Sequence, residues 1–210
     1  GHEHDIHYDY VLSAAGRIPN VGGLDLHNTS LSLSDRGMPE FDPHTMQCGD
    51  SNIFIAGDAN GFRALLHEAA DEGDIAGNNA ATFPQVQRRK RRVPLGIVFT
   101  DPNMATVGKM YSELTGKDFV IGKLDFARQS RAQILNKNEG LLHLYVDTQS
   151  RQLLGAEMMG PDVEHLAHLV AWAMECEFTL DRLLELPYYH PTVEEGLRGA
   201  LQDATKQLGS

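Results

Sequence analysis

Five consecutive cations, Arg88-Arg89-Lys90-Arg91-Arg92, run into Val93-Pro94 and constrain this 210-residue chain more than any other feature. Five like charges in a row do not enter an apolar core, and the proline discourages a helix from continuing through them. The run therefore reads as a solvated connector, with a boundary at residues 84–93. Residues 1–88 form one unit and residues 93–210 a second. Taking these five charges out of the formal net charge of −11 leaves −16 on the rest. That acidic balance argues against nucleic acid as a partner, and no retention on DNA is expected at physiological salt. No apolar run approaches the ~18 residues of a membrane span, and the N-terminus does not read as a signal peptide. The expectation is a globular cytoplasmic protein without a membrane partner.

The two cysteines, Cys48 and Cys176, are 128 positions apart. That spacing fits neither a zinc site nor a dithiol made of near neighbours, and both read as small buried hydrophobes. His165 and His168 are three apart with no third ligand nearby, and His2, His4 and His7 sit at a terminus that binds metal only adventitiously. No metal site is expected.

In the first segment, Tyr8–Ala14 reads as a strand entering a turn at Gly16, and residues 16–50 as loops with one short hairpin around Ser30–Met38. Ser51-Asn52-Ile53-Phe54-Ile55-Ala56-Gly57-Asp58 reads as a buried parallel strand ending in a turn. Gly57 would let backbone approach a ligand, and Asp58 at the strand end could accept a sugar hydroxyl. A plain strand–turn with a capping aspartate reads equally well. Ala64–Ala81 follows as a helix whose small residues suit close packing against another backbone or a flat ligand; His67 within it reads as a packing histidine.

The second segment alternates short strands with helices in the manner of an α+β unit. Leu95–Thr100, Ala105–Gly108, Phe119–Phe126, Gly140–Asp147 and Gln152–Met159 read as strands, the fourth with Leu142, Leu144 and Val146 on one side. Gly160-Pro161-Asp162 opens a helix to about Glu177, with a core stripe of Val163, Leu166, Leu169, Val170, Ala173 and Met174. Thr179 caps a shorter helix, and a C-terminal helix carries Leu197, Leu201 and Ala204 on one side. Before it comes Tyr188-Tyr189-His190-Pro191-Thr192-Val193-Glu194-Glu195. A histidine with carboxylates four and five residues on reads either as a positioned acid–base pair or as a turn ahead of an acidic helix N-terminus.

Gly16-Arg17-Ile18-Pro19-Asn20, Ile53–Asp58, Leu66-His67-Glu68-Ala69-Ala70-Asp71-Glu72-Gly73 and His190-Pro191-Thr192-x-x-Glu195 occur in that order. Together they resemble the pyridine nucleotide–disulfide oxidoreductases, and within them the dihydrolipoamide dehydrogenase branch. The resemblance implies an α+β interface (dimerisation) domain, an antiparallel sheet with helices, preceded by a partial α/β FAD/NAD-binding region. It implies FAD and NAD(P) as cofactors, a homodimer, and a dithiol/disulfide substrate such as lipoamide. By residue, it implies that Gly57 and Asp58 meet the ribityl chain of FAD and that Leu66 and His67 bring backbone amides to the flavin ring. His190 becomes the general acid–base and Glu195 its orienting partner, acting across the dimer.

The chain departs from that family at Cys48, where threonine is common, and at Ile55, where alanine is common. Tyr188 stands where the branch often has a second histidine, and Tyr189 where a small residue stands. It has no Gly-x-Gly-x-x-Gly after a strand and no paired redox cysteines. It is thus expected to match the carboxyl-terminal part of such an enzyme, inactive in isolation. A flavin reductase of the same family with a non-lipoamide acceptor is the alternative enzyme, and a stand-alone dimerisation module the alternative outside catalysis.

Overall fold

A computed structural model of the chain describes residues 5–209. Two compact units emerge, one reaching Arg91 and the other beginning at Arg92.

The first unit is loop-rich and built around one long helix, α1 (Leu66–Thr82). Its small core joins Met46, Ile75 and Ala76, with Phe41, Phe54 and Ala56 packed on it. The unit departs from two sequence expectations. Residues 8–14 form no strand, and Tyr10, Val11 and Leu12 are exposed. Their β-forming side chains find no ladder partner among the described residues, and an unpaired strand has little to stabilise it. Likewise Ile53–Asp58 is not a parallel strand. Phe54 makes a single antiparallel bridge to Gln47, supported by bonds from Cys48 N–H to the Ile53 carbonyl and from Ile55 N–H to the Met46 carbonyl. The hairpin near Ser30–Met38 is present as a bridge between Leu33 and Pro39.

The basic run also differs from its reading as a solvated connector. Arg88 pairs with Asp42, Arg89 with Asp74, and Arg91 with both Glu68 and Glu72. The backbone is pinned as well: Asn79 donates to the Thr45 and Gln87 carbonyls and accepts from Gln87 N–H. The five cations carry too much charge for a core, yet local carboxylates draw Arg88 and Arg89 onto the first unit's surface and Arg91 beneath it.

The second unit is a five-stranded antiparallel sheet in the order β1-β2-β5-β4-β3. The strands are β1 (Leu95–Val98), β2 (Asn103–Gly108), β3 (Phe119–Asp125), β4 (Leu141–Asp147) and β5 (Leu153–Gly160). Alternation decides the faces: Leu142, Leu144 and Val146 point inward and are fully buried, each contributing about 1.5–3 kcal/mol relative to exposure. Two helices cover that face, α3 (Val163–Glu175) over β2 and β5, and α5 (Glu195–Leu208) over β3 and β4. Between β3 and β4 lies the short α2 (Ser130–Ile134). The core side of α3 includes Ala167 and Ala171, whereas Leu169 and Met174 are only partly buried. The helix ends where Glu177 takes φ +55°. After it comes α4 (Leu180–Leu184), whose Thr179 hydroxyl accepts the Arg182 N–H, a cap worth about 1 kcal/mol. Gly122 allows the α5 backbone onto β3: a Cβ there would stand 2.2 Å from the Ala200 carbonyl oxygen.

On the opposite face, His143 pairs across the strands with Lys123 and Glu157. Burial, aided by the Lys123 ammonium and opposed by Glu157, pushes the imidazole below its ordinary range. The unfolded chain therefore takes up this proton at higher pH than the folded one, so stability is fully present above about pH 6.5 and falls as the solution is acidified below it. Denaturant titrations at pH 7.5 and 5 should show a smaller acid loss for His143→Gln than for the parent protein.

Candidate functional site

Two clusters carry the chemistry-bearing motifs, one in each unit. In the first unit, Gly57–Asn60 forms a 3-10 turn directly after the Phe54 bridge. Gly57 has φ +71°, which favours glycine, and a Cβ there would meet the Ala69 methyl at 3.3 Å. Asp58 projects half-exposed from this turn, 3.3 Å from the exposed Arg17 guanidinium. Gly61 sits against the Pro19 ring. Residues 17–20 and 58–61 thus line one groove of about 990 Å³, together with Arg36, Met38 and Ala64. Leu66 and His67 begin α1 with exposed side chains. No side chain caps this helix start, so its first amides have no intrahelical acceptor.

Beneath the turn lie two buried carboxylates that the sequence reading passed over. Glu72, fully buried, accepts from Gly57 N–H at 2.8 Å and from the Asn60 amide at 2.6 Å. Its other oxygen takes the Arg91 guanidinium at 3.0 Å. Arg91 also reaches Glu68, which pairs with Arg63 at 3.0 Å. Glu68 and Glu72 are one helical turn apart on the face that carries Ile75. Acids at that spacing on an otherwise core-facing side are the signal that could have marked them.

In the second unit, His190 and Glu195 come together as their spacing allows. Glu195 is the first residue of α5, where the helix dipole favours a carboxylate. Its oxygens lie 2.9 and 3.1 Å from His190 Nδ1, and it also accepts the Thr192 N–H at 3.2 Å. The Thr192 hydroxyl donates to the Tyr189 carbonyl, and Gln129 donates to the Thr192 carbonyl, so the arm is bonded on both sides. The imidazole itself is 70% exposed and the carboxylate 26%. Beside the arm runs an apolar groove of about 520 Å³, lined by Leu169, Trp172, Phe178, Leu186, Tyr188 and Tyr189.

Cys176 also lines this groove and is exposed, contrary to its reading as a buried hydrophobe, because it stands just past the last turn of α3. Cys48 is buried, and burial pushes its thiol above the ordinary value, which disfavours the reactive thiolate. His168 bonds the Glu164 carbonyl through Nδ1. Among the described residues no group of three or more His, Cys, Asp or Glu is placed to hold a metal, and no helix is long and apolar enough to cross a membrane. His2 and His4 lie outside the described residues.

The sheet-and-helix unit matches the profile of the "Pyridine nucleotide-disulphide oxidoreductase, dimerisation domain" over residues 95–201, 107 of the 210 positions. The chain belongs to the pyridine nucleotide–disulfide oxidoreductase family. Curated relatives include a dihydrolipoyl dehydrogenase of Haloferax volcanii, 31% identical over 99% of this chain and 44% of that protein. One of Geobacillus stearothermophilus is 33% identical over 93% of this chain and 41% of that protein. The chain thus spans about two fifths of the length of the relatives it matches. Two solved structures share its fold. LpdA from Mycobacterium tuberculosis superposes with TM-score 0.76 at 22% identity, covering 90% of this chain and 41% of that one. The copper(II) complex of the HOCl-induced flavoprotein disulfide reductase RclA from Escherichia coli gives 0.75 at 23%, covering 90% and 43%. The antiparallel sheet with its two covering helices is the dimerisation-domain architecture of this oxidoreductase family.

Proposed function

We propose that this chain forms part of an FAD-dependent, NAD(P)-linked disulfide oxidoreductase of the dihydrolipoamide dehydrogenase type, working as a homodimer on a dithiol such as dihydrolipoamide. The observation that carries the reading is the two-oxygen grip of Glu195 on His190 Nδ1. A carboxylate accepts only, so Nδ1 carries the proton and Nε2 is the basic atom turned to chemistry. His190 then takes the proton of a substrate thiol through Nε2. The resulting thiolate attacks a disulfide sulfur, forming one S–S bond as the other breaks and a thiolate departs. In the reverse direction the imidazolium returns that proton. Glu195 holds the ring in the required tautomer while balancing its charge.

The first unit fits a flavin: the groove at Arg17–Asn20 and Asp58–Ala64 offers a half-exposed carboxylate to a ribityl hydroxyl and the uncapped start of α1 to the ring. When bound, FAD supplies two-electron exchange between dithiol and nicotinamide. Membership of a family defined by its dimerisation domain, and the exposed Trp172 beside the His190 arm, favour a second copy as the partner that places His190 at its substrate.

A second reading, a flavin reductase with another acceptor, is favoured by Tyr189, exposed beside His190, and Tyr188, in the groove. One experiment separates the two. Thiols are counted on the denatured full-length protein before and after anaerobic reduction with NADH. The disulfide reading expects two additional thiols per subunit, and no additional thiol would replace it with the second.

A further inference from the structure

The turn that carries Asp58 is anchored from beyond its own sequence as well as within it. Its two anchoring bonds, from the Gly57 amide and the Asn60 side chain, end on one oxygen of Glu72, fifteen and twelve residues further on. Glu72 is fully buried. A lone carboxylate there would be costly, and the charge is answered from the other oxygen by Arg91, whose side chain is 11% exposed. Arg91 in turn is shared with Glu68 and donates to the Pro43 carbonyl, while Glu68 is held by Arg63. The anchor is therefore a chain of alternating charge, Arg63–Glu68–Arg91–Glu72, that ends on the backbone amide preceding Asp58.

We propose that Glu72, charge-balanced by Arg91, is a positioning residue for flavin: it sets the attitude of the Gly57–Asn60 turn and so the presentation of Asp58 to the groove. Two donors converging on one oxygen fix the turn in direction as well as distance. Glu72 does not touch the ligand, and its whole effect runs through the turn. A glutamine at position 72 keeps the shape, but its amide would set a donor against either the Arg91 guanidinium or the Gly57 and Asn60 donors. The strap of cations thereby gains a role that a connector would not have, since its fourth member neutralises the anchor.

This inference rests on the flavin reading of the groove, and the test is arranged to separate the two. FAD release is timed on the full-length holoprotein by the rise in flavin fluorescence, for wild type, Glu72→Gln, Asp58→Asn and the double variant, with visible-region flavin circular dichroism recorded alongside. The expected result is release at least tenfold faster for Glu72→Gln with an altered dichroism. The double variant should be little faster than the worse single, because both changes act through one contact. Release unchanged in Glu72→Gln, or multiplicative effects in the double variant, overturns the positioning role. Wild-type protein that binds no FAD overturns the flavin reading itself. Should Glu72→Gln fail to fold, hydrogen exchange on the wild-type apoprotein decides: amides of residues 57–60 must be protected well above those of the 49–52 loop, and equal exchange sinks the proposal.

Discussion

Replacing His190 with glutamine in the full-length flavoprotein is expected to lower dithiol turnover about 100-fold or more, the range lost when a positioned general acid–base is removed. Flavin content should stay unchanged. Glutamine can still donate to Glu195 and so keep the arm in place, but it has no basic atom where Nε2 stood. The loss should appear in steps that move a thiol proton and spare flavin reduction by NADH. Paired assays with dihydrolipoamide and with a one-electron dye check this: both rates falling together would point to misfolding. Dithiol turnover within twofold of the parent would remove His190 from the reaction.

Gly122→Ala is the second large effect, and it tests the frame that holds Glu195. The added methyl would stand 2.2 Å from the Ala200 carbonyl oxygen and 3.0 Å from the Ala204 methyl. Neither is the end of a flexible side chain, so α5 must lift from β3. Overpacking of this kind costs about 3 kcal/mol, read as a lowered urea midpoint at unchanged slope. Since α5 begins at Glu195, the same displacement should loosen the grip on His190 and lower turnover of the molecules that remain folded. A stability change under about 0.5 kcal/mol, the usual range for an innocuous surface change, would mean that α5 does not lie on β3 as described.

The sheet was legible because its cues are local. Leu142, Leu144 and Val146 alternate along one strand, and Thr179 marks a helix start within three residues of its bond partner. The His190–Glu195 pair was legible for the same reason, with five residues separating the partners. Residues 8–14 and 53–58 were misjudged because strand-forming side chains say nothing about whether a neighbouring strand is present. The fate of the cationic run was hidden more deeply. Its partners Asp42, Glu68, Glu72 and Asp74 lie 15 to 46 positions away, and only the folded loop-and-helix unit brings them to the arginines. Counting positive charges in sequence gives their solvation and misses their neutralisation.

The hydrogen bonds that hold the Asp58 turn run among residues 17–91, and those that hold the His190 arm run among residues 129–195. Sites that share no partner respond to substitution independently. In evolutionary terms this makes the arm a separable module. Tyr188 and Tyr189 could drift without loosening the carboxylate clamp of the other unit. The surface beside His190 could thus change while the hydrogen bonds of the Asp58 turn stay as they are.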